Sequence, residues 1–241
     1  MIISDLGTTD FAQHLVANPA QESALYALGV DVLVKLSQHD CALNLPRMTH
    51  SVASNMVDLA ALHYAPDPTG KDDLCAALRA TWDKYVDPEL RLALRDYHAE
   101  NLIWRPAQNN LDRVGLLDFQ DACLAPVGYD LMSLIRDARR DVSPTTATAM
   151  ITRFCNKIGR PVDDMSVHLA CVGVQRNLRI LGIFARLALA DGKLRYLSFL
   201  PRVWQCLQHD LNHPALHDLR KTVLGILPPP DTKTLERLRA R

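Results

Sequence analysis

The chain has 241 residues, with 27 Lys+Arg against 27 Asp+Glu and a formal net charge of zero. That balance argues against the basic surplus typical of a nucleic-acid partner, and 48% hydrophobic residues is too many for a disordered chain. No apolar run reaches the ~20 residues that span a bilayer and MIISDLGTTDF has no basic n-region or long h-region, so a cytoplasmic protein with no membrane partner is expected.

Helical periodicity dominates. Phe11 and Leu15, and then Leu25, Leu28, Val32 and Leu36, fall at three- and four-residue steps. Asn18-Pro19 breaks that stretch as a cap-and-start pair, so one long helix is expected over 19–38. Residues 39–50 read as a loop, 52–62 as a weaker helix, and Pro66-Asp67-Pro68-Thr69-Gly70 as a break. The stretch 74–85 is amphipathic, with Leu74, Leu78, Trp82 and Tyr85 on one face.

Strands are expected only in the middle. Leu102-Ile103-Trp104 and Val114-Gly115-Leu116-Leu117 flank a polar loop, the pattern of a short hairpin. Helices follow over 130–139, 145–158, 163–190 and 196–211. Ser143-Pro144 is a start signal, and Gly192 stands where a helix should end. Residues 229–241 read as a proline break and a polar tail. The alternating run Arg136-Asp137-Ala138-Arg139-Arg140-Asp141 is the pattern of a solvated helix face. Six scattered Cys without a CxxC pair offer no zinc template and are expected as reduced thiols. The expected fold class is therefore mainly α with a small β-hairpin.

The hairpin carries the chemistry. A loop holding Asp96 leads to Asn101 at the mouth of one strand, and the return strand delivers Asp118. A carboxylate plus an amide oxygen is a hard-oxygen pair suited to Mg²⁺, which keeps waters and substrate phosphates as its other ligands. Asp96 would then take the proton of an attacking hydroxyl. Taken singly, such residues are most often turn formers; as an ordered set they match the phosphoryl-transfer arrangement.

LRDYHAENLIW followed by GLLDFQDACLAPVGYDLMSLIRDARRD resembles the aminoglycoside phosphotransferase/choline kinase-like superfamily, relatives of the protein kinases. It is most similar to the bacterial branch with anomeric cell-wall amino-sugar kinases, which act on N-acetylmuramate or N-acetylglucosamine. QRNLRILGIFARL and YLSFLPRVW extend the likeness through the helical C-terminal part. The resemblance implies the helical C-terminal lobe of a protein-kinase-like fold over 8–228, with a catalytic loop at 94–104 and a metal loop at 114–123. It implies an enzyme using ATP and Mg²⁺ to phosphorylate a sugar or amino-sugar hydroxyl, with Asp96 as catalytic acid-base residue and Asn101 and Asp118 as metal ligands. Residues 1–7 match the inter-lobe linker, where the backbone of Ile3, Ser4 and Asp5 would bond adenine. His98, Asp121 and Asp130 are expected in supporting roles, and Arg136 and Arg176 as acceptor contacts. Leu94 stands where many relatives carry a His.

The same resemblance puts a β-rich N-terminal lobe, with a phosphate-covering loop and a strand Lys, before that linker. The chain starts at the linker, so that lobe is expected to be missing or separately supplied. Two further readings follow: a truncated, catalytically weak or inactive relative, and a helical interaction module that kept its acids by descent.

Overall fold

A computed structural model describes residues 5–39 and 44–239. In chain order the helices begin with α1 (Phe11–Ala17), α2 (Glu22–Ser37), α3 (His50–Asn55) and α4 (Lys71–Tyr85). Four short strands follow: β1 (Leu90–Ala93), β2 (Leu102–Trp104), β3 (Val114–Leu116) and β4 (Cys123–Pro126). The remainder is α5 (Tyr129–Ile135), α6 (Pro144–Ile158), α7 (Val162–Asp191), α8 (Leu200–Leu211), α9 (His217–Ile226) and α10 (Thr232–Arg239). These elements form two compact units. The first runs to Pro46 and resumes over Leu90–Met165; the second takes Arg47–Glu89 and continues from Ser166.

In the first unit α2 packs on α6. Leu25, Tyr26, Val30 and Leu33 of α2 are buried, as are Met150 and Phe154 of α6. At the rim of this pair Arg153 grips Asp31 through two hydrogen bonds of 2.7 Å, and Lys157 Nζ lies 2.9 Å from the same carboxylate. Burial raises the Asp31 carboxyl, but hydrogen bonds from Arg153 and Lys157 outweigh it and hold the group below its ordinary range. Gly29 of α2 faces α5, β2 and Tyr97: Leu134, Leu102 and the Tyr97 hydroxyl would lie 3.4–3.7 Å from a Cβ there, ordinary packing distances. Tyr97, itself buried, donates to the Gly29 carbonyl at 2.7 Å.

The β structure is two antiparallel ribbons, where sequence periodicity predicts one. β2 and β3 pair as expected, Leu102 opposite Leu116 and Trp104 opposite Val114. The second ribbon joins β1 to β4, Leu90 opposite Pro126 and Ala93 opposite Cys123. Four residues each, and mostly half-buried along β1, these strands lack the length and clean alternation that make a strand legible.

Several helix boundaries differ from the periodic reading. The expected helix over 19–38 starts with a 3₁₀ turn, Pro19–Gln21, before α2. Asn18 does not cap it: its amide donates backwards to the His14 carbonyl at 3.0 Å, closing α1. The stretch 52–62 is split between α3 and a π-turn, Ala60–Tyr64. The helix expected to reach residue 139 ends at Ile135. Asp137 accepts the Arg139 N–H at 2.8 Å, a local turn that competes with helix. The charge run is therefore no solvated face. Asp137 and Ala138 are buried, Arg140 bonds Glu22 at 2.6 Å and Arg139 lies 3.2 Å from Glu100. The Ser143 cap holds as expected, accepting from Thr146 N, and Gly192 follows α7 with φ +65°.

In the second unit Leu74, Leu78 and Trp82 of α4 are buried, and α4 packs on α3 and α9. Tyr64 stacks on Trp204 with centroids 6.3 Å apart. The expected polar tail is helical as α10: Leu238 is buried, and Arg237 donates to the carbonyls of Tyr64 and Ala65. No described helix is long and apolar enough to cross a membrane.

Candidate active site

The two ribbons place the two loops. The chain leaves β1 at Ala93, passes through 94–101 and enters β2 at Leu102. It then leaves β3 at Leu116, passes through 117–122 and enters β4 at Cys123. Ala93 opposes Cys123 and Leu102 opposes Leu116, so both loops run between the same two ribbon ends. They are neighbours by construction.

Direct bonds tie them together. Leu117 N donates to the Asn101 carbonyl at 3.0 Å, continuing the β2–β3 ladder by one step. The Asn101 side-chain Nδ2 donates to the Asp96 carbonyl at 2.8 Å. Arg95 Nη1 reaches the Asp121 carbonyl at 3.4 Å. Asn101 thus links Asp96 in one loop to the residue beside Asp118 in the other. Both Asp96 and Asp118 are exposed.

The backbone here is unusual. Among the described residues three non-glycines have positive φ, and two are in these loops: Arg95 at 72° and Asp118 at 57°. L-residues in this region carry strain that clusters at functional sites. Asp130 holds the first of them. Buried at the start of α5, its carboxylate accepts Leu94 N at 2.6 Å and Arg95 N at 3.0 Å. The Ser133 hydroxyl adds a bond to the Arg95 carbonyl at 3.3 Å.

The remaining expected residues fall as follows. His98 is buried, and its carbonyl accepts Asn101 N at 2.9 Å. Asp121 is exposed and meets Arg95 through its backbone. Arg136 caps the end of α5 and is half-buried. Arg176 is buried on α7 in the second unit. Ile3 and Ser4 lie outside the described residues, while the Asp5 side chain accepts Gly7 N at 2.8 Å. Sequence reasoning did not single out Glu100, Tyr97 or Gln120. Burial pushes the Glu100 carboxyl up against the opposing pull of Arg139. Gln120 Nε2 donates to Asp118 Oδ1. Only the position of these residues inside the motif marks them.

Among the described residues no group of three His, Cys, Asp or Glu side chains is placed to hold a metal. The donor set is instead mixed. Asn101 spends its Nδ2 on Asp96, which leaves Oδ1 as an acceptor, and the exposed Asp118 carboxylate belongs to the adjoining loop. One carboxylate and one amide oxygen fit Mg²⁺, which draws its other ligands from water and phosphate.

Residues 1–165 match the model of the phosphotransferase enzyme family. A relative from Caulobacter vibrioides, named N-acetylmuramate/N-acetylglucosamine kinase, is 49% identical over 241 residues, covering 91% of this chain and 64% of that protein. A like-named protein of Pseudomonas aeruginosa is 30% identical over 242 residues, covering 94% of this chain and 69% of its own length. A choline/ethanolamine kinase family protein from Mesorhizobium loti, known by crystal structure, superposes with a TM-score of 0.58 at 13% identity. That match takes in 86% of this chain and 68% of the other, and speaks to fold. The chain spans 64% of the length of the first two curated relatives it matches.

Proposed function

The chain belongs to the phosphotransferase enzyme family, and from that premise we propose that it works as an ATP-dependent kinase of a sugar or amino-sugar hydroxyl. The acceptor class is a cell-wall N-acetylated amino sugar, in keeping with the names of its relatives. The observation that carries this reading is the double link through Asn101, to the Asp96 carbonyl and to Leu117 N, which brings the two loops together.

In this reading Asp96 orients and deprotonates the acceptor hydroxyl, a role its exposure allows. Asn101 Oδ1 and the Asp118 carboxylate would hold Mg²⁺, and the ion would neutralise charge on the nucleotide phosphates. Asp130 fixes the loop that presents Asp96, and buried His98 supports the turn before Asn101. Adenine contacts by the backbone at Ile3, Ser4 and Asp5, and acceptor contacts by Arg136 and Arg176, belong to the same proposal. Positioning and charge neutralisation supply most of the rate gain in such transfers.

The test is ADP release with Mg-ATP and either N-acetylmuramate or N-acetylglucosamine, on the wild type and Asp118→Ala. Turnover that depends on one of these sugars and disappears in the variant supports the reading. Equal turnover in the variant removes the metal role of Asp118. Mg-ATP binding by calorimetry with no turnover on either sugar would favour a folded binding module instead.

A further inference from the structure

The loop 94–101 has two ends, and the carboxylate of Asp130 holds the first of them. The second end is the 3₁₀ turn Ala99–Asn101, which closes on the proposed metal ligand. Its middle residue, Glu100, turns its carboxylate to Arg139, with Oε2 3.2 Å from Nε. A lone exposed ion pair contributes little, because two mobile side chains must be ordered to form it. Arg139 is already anchored. Its backbone N–H donates to the buried Asp137 carboxylate at 2.8 Å. Beside it, Arg140 bonds Glu22 at the start of α2 at 2.6 Å. The other Glu22 oxygen accepts the N–H of Ser143, the N-cap of α6, at 3.2 Å. The guanidinium thus reaches Glu100 from a segment fixed to two helices.

Charge adds to this anchoring. Burial pushes the Glu100 carboxyl up, Asp137 and Asp10 push it the same way, and Arg139 opposes them. Without Arg139, Glu100 would face two like charges, so the turn would be repelled as well as released. We propose that Arg139 is a positioning residue that holds the Ala99–Asn101 turn through Glu100 and so keeps Asn101 in place for the metal. Asp130 and Arg139 then fix opposite ends of one loop. This inference rests on the reading of Asn101 as a metal ligand.

The backbone reports the state of the turn without any substrate. Asn101 N donates to the His98 carbonyl at 2.9 Å, and Leu117 N to the Asn101 carbonyl at 3.0 Å. Exchange of these two amides, followed by nuclear magnetic resonance, therefore reads local opening of the turn. Wild type, Arg139→Gln, Glu100→Gln and Arg139→Lys are compared in exchange and in phosphorylation of N-acetylmuramate or N-acetylglucosamine across a Mg²⁺ titration. In both Gln variants the two amides should exchange about fivefold faster, the upper scale of a charge pair. Half-saturating Mg²⁺ should rise by a similar factor, while kcat at saturating Mg²⁺ and KM for the sugar hold. Arg139→Lys keeps the charge and should stay close to the wild type in both measurements. Unchanged exchange in both Gln variants overturns the proposal. Faster exchange with an unchanged Mg²⁺ requirement also overturns it, leaving the pair as a fold contact only. If Asn101→Ala needs no more Mg²⁺ than the wild type, or the wild type phosphorylates neither sugar, the reading of the site fails and this inference falls with it.

Discussion

Oδ2 of Asp130 accepts the backbone N–H of Leu94 at 2.6 Å, across thirty-six residues of chain. Its other oxygen takes the next N–H, that of Arg95, at 3.0 Å. One buried carboxylate thereby holds the backbone on entry to the left-handed residue that precedes Asp96. An amide in its place has only one acceptor oxygen, and its NH₂ would face a second N–H. Asp130→Asn is expected to lose about 1.5–3 kcal/mol in urea unfolding, the range for hydrogen bonds to a charged group. A variant as stable as the wild type would remove Asp130 as the brace.

Asp96→Asn separates chemistry from binding. Under the proposed function, in which Asp96 is the general base, its loss costs at least about 100-fold, so kcat should fall by that factor while KM for ATP and sugar moves little. Because Asp96 is exposed, unfolding free energy should stay within about 0.5 kcal/mol of the wild type. Steady-state kinetics and a denaturation curve on one preparation check both halves.

Gly182 on α7 tests the packing of the second unit. A Cβ there would lie 2.3 Å from the Leu59 carbonyl carbon and 2.5 Å from Ala60 N, both backbone atoms at the head of the π-turn. Neither can swing away as a side-chain tip would. Gly182→Ala is expected to cost at least about 2 kcal/mol by overpacking, read as a lowered denaturant midpoint.

The Asp31 pair predicts a pH dependence. Its carboxyl is held below the ordinary range, so its contribution is present above the unfolded pKa of about 3.9 and fades as acid titrates it in the folded chain. Arg153 and Lys157 are partly exposed, and screening keeps that contribution within about 1 kcal/mol. The stability gap between wild type and Asp31→Asn should thus be open at pH 7 and narrow below pH about 4. A gap that persists at pH 2.5 would mean Asp31 acts through packing, not charge.

The amino-acid sequence by itself determined the parts governed by neighbours along the chain. The steps of Leu74, Leu78 and Trp82, the Ser143 cap, and the pairing of 102–104 with 114–116 were legible because spacing and capping act over a few residues. The order of Asp96, Asn101 and Asp118 carried the family in the same way. Tertiary structure decided what depends on partners far off in sequence. β1 is a strand because Cys123–Pro126 lies beside it, and the 136–141 segment folds inward because Glu22 and Glu100 meet its arginines. Residues 232–239 become helix with Leu238 buried and Arg237 on the carbonyls of Tyr64 and Ala65. Local periodicity records which face of a segment is apolar; it holds no record of which distant backbone or charge will meet that face.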